Sequence, residues 1–378
     1  AIDQGLPEGD PTALPPAPSG DDEPIRWVYY TSGTTSDPKG VRHTDQTLLA
    51  AGIGLGRSLE MTADDIGSMV FPYAHIAGPD YLIMMLSVGM SAMLLDAFTL
   101  DAAIAQYNHW GCTMAGGSTV FYTMFLGEQR KNPDTPLIPT LRLLSGGGAP
   151  KPPEIYYEVV EEMGVPVAHG YGMTECPMIS QGGPSDTPDQ LANSDGHPIH
   201  GCTVTIVKAD ETVAASGEEV EVRVSGPMVF KGYTDESLNA DAFDSEGRFR
   251  TGDLGILRDD GHVSLTGRLK DVIIRKGENI SATEVEDVLY PLAKVGAVAV
   301  IGLPDRERGE RVCAVIETAE GADPITMDEL LAACAEAGLM RQKVPEQLEL
   351  VDALPRNDTL QKVLKYKLRE QFADKAWP

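Results

Sequence analysis

Thr31-Ser-Gly-Thr-Thr-Ser-Asp-Pro-Lys-Gly40 is the stretch whose reading decides this chain. It follows Trp27-Val-Tyr-Tyr30, an aromatic and β-branched run that predicts a buried strand. The stretch itself reads as irregular. Its small hydroxyl residues and two glycines let backbone N–H groups converge on an anion without a Cβ in the way, and Lys39 adds a full charge. Such a loop suits the β- and γ-phosphates of a nucleotide. A Walker A loop has Gly-Lys-Ser/Thr opening a helix, whereas here Lys39 precedes Gly40, which disfavours a P-loop NTPase. Taken alone, the residues also fit a plain Ser/Thr/Gly turn.

Further motifs follow downstream. Ser145-Gly-Gly-Gly-Ala-Pro150, after Leu143-Leu144, predicts close approach of backbone to a flat ligand at a strand end. In His169-Gly-Tyr-Gly-Met-Thr-Glu175, Tyr171 can stack on a purine and Glu175 can offer hard carboxylate oxygen to Mg²⁺ beside phosphates, or be a solvated acid. Arg250-Thr-Gly-Asp253 holds a carboxylate on a tight turn, able to accept from a ribose diol or simply to close the turn. Gly267-Arg-Leu-Lys-Asp271 and the charged run to Asn279 read as a hinge or an ordinary linker. The basic run Leu354–Glu370 reads most simply as a solvated helix face.

The chain has 378 residues and a net charge of −27. That excludes a general nucleic-acid binder, whose affinity for phosphate comes from basic surface. It still permits an anionic ligand in a local cationic pocket. Of the 30 basic residues, 14 lie in the last 108 positions. Five scattered cysteines form no paired spacing, so reduced thiols and a cytoplasmic location are expected. The apolar run Tyr81–Leu95 is too short for a membrane span and predicts a buried core helix.

Residues 7–24 are rich in proline and acids and read as an extended linker. Helical and strand patterns then alternate to about Gly201, the signature of an α/β sheet. Residues 200–265 read as mainly β, with Val220, Val222 and Val224 inward and Glu221 and Arg223 outward. Gly296–Gly302 and Val312–Glu317 predict strands, and Ser281-Ala-Thr-Glu284 and Thr326-Met-Asp-Glu329 predict helix starts by the capping box.

Taken together and in this order, these motifs resemble the AMP-forming adenylating superfamily of acyl-CoA synthetases, peptide-synthetase adenylation domains and firefly-type luciferases. The resemblance runs from about Arg26 to Glu370. It implies an α/β fold: a large, partial α/β N-terminal domain with a β-rich portion (1–269) and a small mobile α+β C-terminal lid (270–378). It implies ATP, Mg²⁺ and coenzyme A as cofactors, a carboxylic acid as substrate, and no nucleic-acid partner. By that resemblance Thr31, Ser32, Gly33, Thr34, Thr35 and Lys39 handle the β- and γ-phosphates, and Gly147, Gly148, Ala149, His169, Gly170, Tyr171 and Gly172 line the adenine. Thr174 touches the α-phosphate, Glu175 binds Mg²⁺, and Asp253 and Arg268 hold the ribose. His75, with Gly116 and Gly117, belongs to the acyl pocket; Lys270 is the hinge; Lys276, Gly277 and Glu278 approach the coenzyme A channel. Lys362 aligns with the lysine that meets the acid carboxylate and α-phosphate, with Lys365 a lesser substitute.

The departures are Ser36 in place of glycine, one extra residue before Lys362, and Ala115-Gly-Gly-Ser118 in place of a proline-bearing segment. The family also carries a large piece upstream of the phosphate loop, so a fragment is expected here. The implied activity is an acyl-CoA synthetase for a fatty or alicyclic acid. An enzyme loading a carrier protein, and a non-catalytic nucleotide-binding homologue, are the alternatives.

Overall fold

The computed structural model describes residues 24–31, 38–95, 97–276, 278–356 and 363–373. Ser32, Gly33, Thr34, Thr35, Gly277, Lys362 and most of the proline-rich segment lie outside the described residues.

A seven-stranded sheet forms the centre. Its order is Ser91–Leu94, Ile66–Met69, Met114–Gly117, Leu143–Gly147, Val167–Met173, Cys176–Gln181, His197–Pro198. The first five strands are parallel and the last two antiparallel. Helices Ala77–Val88, Leu100–Trp110, Thr119–Gln129 and Pro153–Met163 lie between successive parallel strands, as crossovers require. Met114–Ala115 and Leu143–Leu144 are buried, as expected of strands covered on both faces. All the strand ends that carry Gly147, Gly170 and Glu175 therefore gather along one edge of one core.

Two sequence expectations need correction here. The run Tyr81–Leu95 is not one helix: helix Ala77–Val88 stops at Gly89, whose φ of 80° is the left-handed cap, and the chain continues as strand Ser91–Leu94. Strand Trp27–Thr31 is not buried. Among the described residues it pairs only with Lys39–His43 in a two-stranded ribbon, and Tyr30 is 66% exposed. Lys39 and Gly40 belong to that ribbon rather than to an irregular loop.

A second, antiparallel sheet orders Thr203–Val207, Val220–Ser225, Phe249–Leu257 and Val263–Arg268. Simple alternation fails at Arg223, whose side chain is 2% exposed. It is buried because its guanidinium is fully engaged, by Asp244 at 2.9 Å, Glu221 at 2.9 Å and Glu211. Strands Val295–Asp305 and Gly309–Thr318, with Gln347–Val351 parallel to the latter, build a third sheet in the last hundred residues. Thr326 caps helix Met327–Glu336 in a full capping box, and Ser281 accepts from the Glu284 N–H at the start of Ala282–Leu289. The buried core of the first unit reaches Val263, while two further clusters begin at Ile273 and Ala297. Among the described residues no helix is long and apolar enough to cross a membrane. Among the described residues the five cysteines form no disulfide.

Burial works against the Asp244 carboxylate, yet the Arg248 N–H and the Arg223 and Arg248 guanidiniums hold its pKa down to about 2. A depressed pKa stabilises the fold above the unfolded carboxyl's value and ceases to do so as pH falls through the folded one. Asp244→Ala should therefore lower the unfolding free energy by about 3 kcal/mol at neutral pH, because it strips a partner from a buried guanidinium. The gap to wild type should narrow between about pH 4 and pH 2 in urea titrations. A gap that does not depend on pH would contradict this account.

Candidate functional site

The site is built from three strand ends and a returning loop. Lys39 opens strand Lys39–His43 and pairs with Thr31 across the ribbon. The loop at Lys231–Thr234 returns to this strand: the Thr234 N–H donates to Gly40 O at 2.7 Å and Val41 bridges Tyr233. Tyr233 is the junction. Its ring lies 5.2 Å from the Lys39 ammonium, and its hydroxyl donates to Glu175 Oε1 at 2.8 Å. Glu175 is 7% exposed, and burial raises its pKa, with Lys39 pulling the other way.

His43, at the far end of the same strand, is completely buried and held neutral by that burial, its pKa lowered to about 4. A carbonyl only accepts, so its Nε2–H donates to Thr174 O at 2.7 Å. One short strand thus fixes both Lys39 and the Thr174–Glu175 turn.

Asp253 lies on strand Phe249–Leu257, in register with Arg268 on the neighbouring strand. Its Oδ1 meets Arg268 Nε at 2.9 Å and its Oδ2 accepts from the Tyr171 hydroxyl at 2.6 Å. Two oxygens offer about four acceptor positions, so capacity for a diol remains. Asp253 and Glu175 are close enough for the charge of Asp253 to raise the Glu175 pKa. Lys39, Glu175 and Asp253 therefore lie within electrostatic reach of one another around Glu175.

The glycine segment packs tightly against this assembly. A Cβ on Gly147 would sit 2.4 Å from Gly170 O, so the glycines here are demanded by strand-to-strand approach. The His169 ring is buried, its Nε2–H donating to Ala149 O at 2.9 Å, with the Tyr122 hydroxyl 3.5 Å from Nδ1. Its imidazole fastens the Gly148–Ala149 turn. Tyr171, which the sequence offers as a stacking ring, is 6% exposed and orients Asp253 through its hydroxyl. Gly172 and Met173 lead into Thr174 on the same strand end.

His75 is half-buried, stacks on Phe71 at 6.4 Å, and accepts from the Ala77 N–H at the head of helix Ala77–Val88. Gly116 and Gly117 end their strand beside Ser145 and Gly146. Lys270 lies in the single turn Leu269–Asp271, where Asp271 pairs with Arg369 of the last helix at 2.8 Å. The Lys276–Glu278 turn stands elsewhere, as the tip of a hairpin whose Lys276 N–H donates to Arg308 O. Lys365 is paired with Glu286 at 2.7 Å.

Comparison with known proteins decides the family. Residues 3–234 match the AMP-binding enzyme model and residues 284–360 match the AMP-binding enzyme C-terminal domain. The chain belongs to the AMP-binding enzymes. It is 32% identical over 365 residues to the medium-chain fatty-acid–CoA ligase of Escherichia coli K12, covering 96% of this chain and 64% of that one. ATP-bound MatB from Rhodopseudomonas palustris superposes with a TM-score of 0.85 at 29% identity, covering 92% of this chain and 68% of MatB. The o-succinylbenzoate coenzyme A synthetase of Bacillus subtilis, in complex with ATP and magnesium ion, gives 0.80 at 32% identity, with 92% and 69% covered. The chain thus spans about two-thirds of the length of these AMP-binding enzymes.

Two residues of the group around Glu175, Tyr233 and His43, escape the sequence reading. Lys231-Gly-Tyr233 is a short turn with no chemical spacing, and a lone histidine in a strand reads as core. Their roles come from contacts 58 and 131 residues away.

A carboxyl whose folded pKa is raised loses stability as pH climbs through that pKa, and the penalty persists above it. Glu175→Gln keeps an acceptor for Tyr233 and removes the charge. It should melt higher than wild type at neutral pH, and the difference should shrink as pH falls to ~4. Thermal melts across pH check this; a variant that melts lower at neutral pH would contradict it.

Proposed function

We propose that the chain performs the chemistry of an AMP-forming acid–thiol ligase. A carboxylate attacks the α-phosphorus of ATP and pyrophosphate leaves. Coenzyme A then attacks the acyl carbon and AMP leaves. The observation that carries this reading is the convergence of Lys39, Glu175 and Asp253 on one cleft, with a carboxylate for the ribose and a cation and a carboxylate for the phosphate end. The similarity to ATP-bound MatB and to the ATP- and magnesium-bound synthetase supports it.

The first half-reaction brings an anion to a polyanion. Two unit charges ~4 Å apart repel by roughly 4 kcal/mol at an effective dielectric of 20. Lys39 at the β- and γ-phosphates and Lys362 at the carboxylate and α-phosphate would offset this. Among the described residues no cluster of three His, Cys, Asp or Glu is set to hold a metal. Mg²⁺ beside phosphates needs only one or two protein carboxylates. Glu175 would hold it, and the ion would neutralise charge between the phosphates. Asp253, aligned by Tyr171 and Arg268, would accept from the ribose hydroxyls and fix the α-phosphorus in line.

The pairing of Lys365 with Glu286 supports assigning the carboxylate-meeting role to Lys362 of the C-terminal lid. Rotation about Lys270 would withdraw it and bring the Lys276–Glu278 hairpin to the thiol path, so geometry decides which half proceeds. The acid would carry an apolar body, fatty or alicyclic, against His75, Gly116 and Gly117.

Lys362→Ala should cut acyl-adenylate formation by about 10²-fold or more. It should spare thioester formation from supplied acyl-adenylate. Pyrophosphate release and coenzyme A consumption separate the two steps. Equal loss in both would contradict the lid mechanism.

A further inference from the structure

Lys151 follows directly on Ser145–Pro150 and is half-buried. Its ammonium donates to Ala192 O at 2.8 Å and lies 6.0 Å from the centre of the Tyr156 ring. Ala192 is the next-to-last residue of helix Pro188–Asn193, whose closing carbonyls have no partner within the helix. A cation at a helix C-terminus is favourable, so the simplest reading makes Lys151 a cap. Water can meet such a carbonyl equally well, whereas drawing an ammonium out of water is costly. Burial lowers the Lys151 pKa to about 8, with Asp195 and Glu154 pulling the other way. A lysine held at that cost calls for a further reason.

The reason lies in what stands at the two ends of this bond. At one end is the turn that leaves strand Leu143–Gly147. There the His169 Nε2–H donates to Ala149 O at 2.9 Å and the Thr119 hydroxyl donates to Pro150 O at 2.8 Å. With the Lys151 bond, three successive residues are each fixed by a side chain. At the other end is the segment Ala192–Gly196, which is laced to the second sheet. The Ser264 hydroxyl donates to Asn193 O at 2.8 Å, and the Asp195 N–H donates to Val263 O at 2.7 Å. The Leu265 N–H donates to Asp195 Oδ2 at 2.8 Å, and the Val263 N–H donates to Gly196 O at 2.9 Å. All four bonds fall on strand Val263–Arg268, whose last residue pairs with Asp253. The Lys151 bond therefore joins the turn expected at the adenine to the strand that aligns the carboxylate expected at the ribose.

We propose that Lys151 is a positioning residue for the nucleotide: through Ala192 it sets the spacing between the turn that receives the base and the strand that presents Asp253 to the ribose hydroxyls. This rests on the ligase reading above and adds to it a residue that touches neither substrate nor reacting atoms. A base and a ribose are joined rigidly, so both surfaces must stand at one set distance for both to be engaged. Without the Lys151 bond the base is still received, but the ribose hydroxyls meet Asp253 less well.

The test is isothermal titration of the full chain with ATP and, separately, with dideoxy-ATP, which lacks both ribose hydroxyls, each with Mg²⁺. Wild type should favour ATP by about tenfold or more. Lys151→Met keeps the apolar stem and removes the donor. It should bind ATP about tenfold more weakly than wild type, the size of a lost charged hydrogen bond. Its affinity for dideoxy-ATP should stay within about twofold of wild type, a split that general loosening of the fold does not give. Lys151→Arg retains a charged donor and should keep most of the preference for ATP; it decides the matter should Lys151→Met not fold. A preference that Lys151→Met leaves unchanged, a parallel loss for both nucleotides, or a folded Lys151→Arg without the preference overturns the role of Lys151 and leaves the ligase reading intact. A wild type that binds neither nucleotide, or binds both equally, overturns both.

Discussion

A lysine ammonium and a buried carboxylate meet at one tyrosine. Lys39 lies over the Tyr233 ring while the Tyr233 hydroxyl holds Glu175, and the rest of the cleft is arranged around that contact. The chain carries 57 acids against 30 bases, so cations near a polyphosphate cannot be left to the general surface. They must be positioned one by one. The ribbon Trp27–Thr31 and Lys39–His43 does this for Lys39, and its last residue, His43, anchors the carbonyl that precedes Glu175. Asp253 is placed from the second sheet by register with Arg268 and by the Tyr171 hydroxyl. Two sheets and the ribbon thus supply the groups that gather around Glu175.

Burial in this cleft has a consistent direction. Glu175 is kept away from water before any ligand neutralises it, which disfavours its charged form. Sites that hold a charge in a desolvated place are less stable than they would be without it, and the stabilising change is the inactivating one. Contrast Arg223 and Asp244, a buried pair far along the second sheet that is fully hydrogen-bonded and serves the fold.

Much of the architecture is readable from residue order because its signals are local. The capping box at Thr326 and the cap at Ser281 start helices where the side chains demand it, and the apolar runs at Val295–Asp305 and Gly309–Thr318 pair as strands. The failures are non-local. Arg223 looks outward by alternation and is inward because acids from other segments meet it. Trp27–Thr31 looks buried by composition, but only one strand pairs with it. Gly89 divides an apolar run that periodicity treats as continuous. Lys39, Glu175 and Asp253 stand in stretches rich in glycine and threonine and so announce themselves, although Asp253, read from the sequence as sitting on a tight turn, lies on strand Phe249–Leu257. Tyr233 and His43 act through partners far away in sequence, and no spacing signals them.

The account's central claim is that one ATP spans Lys39, Glu175 and Asp253. The most direct measurement is a crystal structure with a non-hydrolysable ATP analogue and Mg²⁺. The account predicts the ribose hydroxyls on Asp253, the metal on Glu175 and the terminal phosphates against Lys39. A nucleotide bound with its ribose away from Asp253, or with its phosphates away from the strand that Lys39 opens, would contradict it.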